Sequence, residues 1–127
     1  MRTTLLTITV AAALTIITSA HAATNSWKTK ARQVIYGVFP RATRDAAFRV
    51  VGCETGYTYL PWAYNSSSGA SGYFQILQGN AGRVLHYLGG TITIPSGKAL
   101  FNPWVNARVA LFLSRGGTDW HEWSCQP

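Results

Sequence analysis

The sequence predicts a mainly α-helical small domain, with an irregular loop or short hairpin lining a cleft. Three observations predict it. Apolar residues recur at helical spacing in four stretches of the 127-residue chain. Phe39-Pro40, Gly89-Gly90, Asn102-Pro103 and Gly116-Gly117 punctuate those stretches. Between the second and third stretch, from Tyr57 to Tyr73, no helical period survives.

Residues 1–22 read as a secretory signal peptide. Arg2 supplies the positive start, Leu5 to Ile17 the apolar run, and Ala20-His21-Ala22 the small-x-small cleavage pattern. The run is shorter than the roughly 20 apolar residues a spanning helix needs. Cleavage between Ala22 and Ala23 leaves residues 23–127 as one domain. The whole chain carries a net charge of +7. Such a balance favours anionic partners, and charge alone does not choose among nucleic acid, anionic lipid and wall polymers. Cys53 and Cys125 are the two cysteines, an even count in an exported chain, which points to a disulfide. Two cysteines without clustered histidines make a poor zinc site, so no metal is expected.

The elements follow in order. Ser26 to Val38 is a helix capped by Ser26, with Ala31, Val34, Ile35 and Val38 on one stripe. The second helix runs from Ala42 or Thr43 to Cys53. In it Ala47, Val51 and Glu54 share one face, while Arg44, Asp45 and Arg49 lie on the wet one. Tyr57 to Tyr73 is loop or irregular hairpin, rich in tyrosine and in the run Asn65-Ser66-Ser67-Ser68-Gly69. Its aromatic rings suit either sugar stacking or the core. A third helix spans Ala81 to Leu88, with Val84, Leu85 and Leu88 inward, His86 on the surface and Gly89-Gly90 as its stop. Thr91 to Ala99 is loop. Asn102 caps the last helix and Pro103 opens it, with Val105, Val109 and Phe112 as its core stripe. Trp120 and Trp123 share a face of a short C-terminal turn.

Glu54 is the residue that carries chemistry. It continues an apolar stripe at a helix C-terminus, where desolvation and the negative end of the helix dipole both disfavour its anion. A carboxyl so placed is a general acid at neutral pH. A solvated, frayed helix end is the other reading of the same position.

In order, the chain shows an apolar helix ending in Cys-Glu-Thr-Gly, then Gly-Ala-Ser-Gly-Tyr-Phe-Gln-Ile, then Asn-Pro-x-x-Asn-Ala-Arg-x-Ala, then Gly-Gly-x-x-Trp-x-x-Trp-x-Cys. This order resembles the α+β lysozyme-like superfamily, in particular the soluble lytic transglycosylase and transglycosylase-like domains of secreted actinobacterial and phage proteins. The cysteine beside the glutamate, paired with one at the C-terminus, is similar to the resuscitation-promoting factor domain. The resemblance covers Ala31 to Cys125. It implies that Glu54 protonates the glycosidic oxygen between N-acetylmuramic acid and N-acetylglucosamine, and that Thr55 orients it. It implies that Ser71, Gly72, Tyr73 and Gln75 line the cleft, and that Asn102 and Asn106 are mainly structural. The late Ala-Tyr motif of the soluble transglycosylases is missing. Tyr64, Tyr73 and Trp120 are therefore all candidates for the space facing Glu54.

A second carboxylate would have to be Asp45, Asp119 or Glu122. Asp45 lies nine residues before Glu54, about 13 Å along a helix, and on another face. Asp119 reads as a cap and Glu122 as an exposed charge, both reaching the cleft only through the disulfide. A single-acid mechanism is expected, with the substrate's acetamido group assisting. The expected protein is a secreted, monomeric wall-cleaving enzyme without a cofactor. Its partners would be peptidoglycan glycan strands and, second, anionic wall polymers, not nucleic acid. Two other readings stand beside it: a wall-binding or signalling domain that has lost catalysis, and a membrane-active cationic toxin. The toxin reading is the weaker, because the basic residues form no strongly basic amphipathic helix.

Overall fold

The computed structural model describes residues 7–87 and 98–127. Among them are four α-helices, α1 (Thr7–Val38), α2 (Arg44–Glu54), α3 (Gln78–Tyr87) and α4 (Pro103–Leu113), with a short 3₁₀ turn at Lys98–Phe101. β pairing among the described residues is confined to two isolated antiparallel bridges, Tyr64 with Ser71 and Ser71 with Ile76. The domain is thus small and mainly helical, with a bridge-only hairpin where the helical period fails.

α1 packs against α2 and α4, and α3 packs against α4. Ala31, Val34 and Ile35 are buried on α1, and Val38 packs against the core from its edge. Gly37 gives α4 its close approach, since a Cβ there would stand 3.0 Å from the Trp104 ring. The helix does not begin at Ser26. No glycine or proline interrupts Thr7 to Tyr36, so nothing in the chain stops the helix from running back through the apolar segment. Residues 20–26 are exposed, and Trp27 is the first side chain seen packed against the body. Among the α1 residues from 20 onward, the packed ones therefore lie after the Ala22–Ala23 peptide.

α2 buries Ala47, Phe48, Val50 and Val51. Thr43 precedes it without a side-chain cap; its hydroxyl instead donates to Gly116 O at 2.7 Å, tying the start of α2 to the end of α4. α4 starts as its sequence predicts. Asn102 Oδ1 accepts from the N–H groups of Trp104 and Val105, and Pro103 occupies the first turn. Its inner face is a correction: Asn106, Ala107, Val109 and Ala110 are buried, while Val105 is half-buried and Phe112 exposed. The small residues win because α1 and the hairpin close on this helix from two sides. α3 begins at Gln78 rather than Ala81, because Leu77 O accepts from the N–H groups of Asn80 and Ala81 and carries the turn backwards. Leu88, Gly89-Gly90 and Thr91 to Gly97 lie outside the described residues, as do the Leu85 and His86 side chains, while Lys98 and Ala99, expected as loop, open the 3₁₀ turn.

The centre of the core is aromatic. Phe39, Phe74 and Trp120 form a triangle of rings with centroids 5.5 to 6.0 Å apart, and Trp123 meets Trp120 edge-on at 5.0 Å. These rings come from the end of α1, the hairpin and the C-terminal segment. One cluster thus locks the three parts that surround Glu54.

Candidate active site

Glu54 is the last residue of α2. The chain turns away at once through Gly56 and Tyr57, both at positive φ (58° and 62°). Tyr57 N–H returns to Gly52 O at 2.7 Å, which closes the helix end. Thr55 is buried inside this turn. Its hydroxyl donates to Val51 O at 2.8 Å and accepts from Tyr59 N–H at 3.0 Å. Thr55 therefore holds the backbone that presents Glu54 and does not line the cleft.

The C-terminal segment comes to Glu54 from across the molecule. A Cys53–Cys125 disulfide joins residues 72 apart in sequence. It brings the Cys125 N–H to 3.1 Å from Glu54 Oε1, where it donates a hydrogen bond. The carboxyl is half-buried. Burial pushes its pKa above the ordinary carboxylate value, and the Cys125 N–H pulls in the opposite direction without cancelling the effect. Glu54 thus continues the face of Ala47 and Val51, which are fully buried, and is itself half-covered.

The opposite wall is the hairpin. Gly72 sits at φ 76°, beneath α4, where a Cβ would lie 2.3 Å from Leu100 O and from Asn106 Nδ2. Asn106 is fully buried; it donates to Ser71 O (2.8 Å) and Leu100 O (2.9 Å) and accepts from Phe74 N–H (2.9 Å). Gln75 has φ 47°, and its amide donates to Ala63 O and Gly72 O at 3.0 and 2.9 Å. Trp123 Nε1–H donates to Phe74 O at 2.8 Å, fastening the C-terminal segment to this wall.

Between the walls lies a cavity of about 230 Å³. Glu54, Gln75, Asn65, Asn80, Glu122 and Trp123 line it, with Ser68, Ala70, Ile76, Leu77, Leu113 and Ser124 between them. Of the residues expected there, Glu54 and Gln75 are present. Ser71, Gly72 and Tyr73 form the buried frame behind the wall: Ser71 donates to Gly69 O, and burial pushes the Tyr73 hydroxyl up to about 12. Tyr64 is 60% exposed, outside the cavity, with its ring against the Phe101 edge. Trp120 is buried, and its indole N–H donates to Gly117 O at 3.0 Å. None of the three rings proposed to face Glu54 lines the cavity.

Polar side chains and Glu122 occupy that place instead. Asn65 and Ser68 belong to the Ser/Gly cluster, whose side chains also turn the loop: Asn65 Oδ1 accepts from Ser67 N–H and Ser68 Oγ from Ala70 N–H. Asn80 is carried in by the early start of α3. Asp119 does cap its turn, accepting from the His121 N–H and ring nitrogen. Asp45 is exposed and accepts from the Tyr36 hydroxyl, away from the cavity. Among the described residues no group of three or more His, Cys, Asp or Glu side chains is arranged to hold a metal ion, and no helix is long and apolar enough to cross a membrane. Comparison with protein-family models, curated proteins and solved structures found no match.

Proposed function

We propose that the chain is a lysozyme-like, secreted peptidoglycan-cleaving enzyme that breaks the β-1,4 bond between N-acetylmuramic acid and N-acetylglucosamine with Glu54 as its acid. One observation carries this reading. A half-buried carboxyl, its pKa raised by burial, stands at a helix C-terminus and opens onto a polar cleft. A carboxyl that holds its proton more tightly than an exposed one can donate it to a departing glycosidic oxygen. The amides of Asn65, Gln75 and Asn80 and the Trp123 edge give the cleft the hydrogen-bonding and apolar character that sugar rings demand. A disulfide suits an exported protein. The signal-peptide pattern of residues 1–22 supports the same address, and peptidoglycan strands are the substrate that such an exported cationic domain would meet.

The test is incubation of the purified protein with peptidoglycan and mass spectrometry of what is released. Fragments cut at the glycan bond are expected from the native protein and none from Glu54→Gln. Equal release by both would overturn the assignment. A wall-binding domain without catalysis is the second reading. The pair Trp27 and Trp62 favours it, with centroids 4.9 Å apart, Lys30 over the Trp27 ring at 4.4 Å, and Trp62 52% exposed. Binding to insoluble wall with no released fragment would establish it.

A further inference from the structure

The cleft holds a second carboxylate that the single-acid mechanism leaves idle. Glu122 lines the same cavity as Glu54. Arg83, on α3, fixes it through contacts of 2.9 and 3.2 Å to its two oxygens. Both contacts come from one guanidinium nitrogen, so each oxygen keeps a further acceptor position. An ion pair this exposed, at 51% and 26%, contributes little to stability. What sets the pair apart is its place on the cleft wall. The other two acids are engaged elsewhere, Asp45 by Tyr36 and Asp119 by His121 and Arg115. The four acids therefore divide into two within the cleft and two outside it.

The two within are unlike. Glu54 is half-buried and touched by a neutral backbone N–H, whereas Glu122 is held by a cation. Two carboxyl groups in one site with such different surroundings divide the acid and base roles between them. We propose that Glu122, positioned by Arg83, is the base that takes the proton of an attacking water, so that the cleft hydrolyses the glycan and does not close an anhydro sugar. The inference rests on Glu54 as the acid. In the step, the bond from C1 to the leaving oxygen breaks as the Glu54 proton passes to that oxygen. The water oxygen bonds to C1 and its proton passes to Glu122. Exchange with solvent then returns a proton to Glu54 and removes one from Glu122. Direct displacement by water inverts the configuration at C1.

Four variants test this on purified peptidoglycan, with Asp119→Asn as the surface control. The native protein should release reducing ends that incorporate ¹⁸O from labelled water, with the inverted anomer appearing first by NMR. Glu122→Gln should lose turnover by roughly 10²- to 10⁴-fold, and Asp119→Asn should not. Azide should restore Glu122→Ala and appear in the product as a glycosyl azide, which a merely structural role would not yield. Arg83→Met should lower kcat more than it changes KM. If the Glu122 variants do not fold, the first anomer released by the native protein decides: the inverted one supports a base for the attacking water, and the retained one overturns it. The charged groups around the pair are Arg83 on Glu122, with Arg115 and His121 on the adjoining surface. A native rate in Glu122→Gln beside an inert Glu54→Gln overturns this inference alone, as do anhydro ends from the native protein. No fragments from the native protein overturn both it and the Glu54 reading.

Discussion

Glu54 illustrates how a single position sets chemistry against stability. Its pKa is raised in the folded state, so the native protein binds the proton more tightly than the unfolded chain does. The protonated carboxyl therefore favours folding fully below the ordinary carboxyl pKa, and that contribution is lost as pH rises through the folded-state value. Glu54→Gln removes the titration while its amide oxygen still accepts from Cys125 N–H. We expect the variant to melt above the native protein at pH 7, with the difference shrinking as pH falls through the raised folded-state value and gone below about 4. Turnover should fall by roughly 10²- to 10⁴-fold at the same time. Thermal melts across pH and the peptidoglycan assay check the two halves separately. An unchanged melting temperature at pH 7 would mean that burial does not penalise this carboxylate.

At the scale of the element, Asn106 joins the hairpin to α4. It has three partners on two other segments and no exposure. Asn106→Ala leaves Phe74 N–H and two carbonyls without those bonds, and unsatisfied buried groups cost about 1–3 kcal/mol each before relaxation or water entry. A loss of about 3 kcal/mol is expected in denaturant unfolding. Gly72→Ala should be at least as damaging. It combines a positive φ with a Cβ 2.3 Å from backbone, and Leu100 O cannot swing aside as a side chain can. Asn102→Ala, by contrast, removes only a cap and should cost about 1 kcal/mol. Sequence spacing made the helices legible, since a 3.6-residue period needs no knowledge of the partner. It also made Asn102 legible, because a cap is a local device. It left Ser71, Gly72 and Tyr73 on the wrong side of the wall. A bridge-only hairpin has no sustained alternation, so its facing is decided by Asn106, more than 30 residues away. The same limit left Glu122 as an exposed charge that only the disulfide could bring to the cleft. The C-terminal segment has no period, and its docking depends on Trp120 and Trp123 finding Phe39 and Phe74.

For the molecule as a whole, two independent fastenings hold the C-terminal segment over Glu54. One is the disulfide, which closes a long loop and on the chain-entropy model stabilises the fold by about 4 kcal/mol. The other is the aromatic cluster with the Trp123 N–H on Phe74 O. The first acts mainly on the unfolded chain, while the second acts within the folded one. They are separable. The double substitution Cys53→Ser with Cys125→Ser should lower the melting temperature, because the unfolded ensemble regains its freedom. Cys53 is exposed and Cys125 half-buried, so the hydroxyls find water and the packing survives. Well below the new melting point, the segment should stay docked and the glycan assay should show a nearly native rate. Trp123→Ala should do the reverse of this. With the disulfide intact, it frees the Phe74 carbonyl and opens the wall that carries Glu122, so turnover should fall even at temperatures where the protein remains folded. Melting curves and rates measured on both variants decide between the fastenings. A double serine variant that is folded but inactive would assign the positioning of Glu54 to the disulfide and not to the aromatic core.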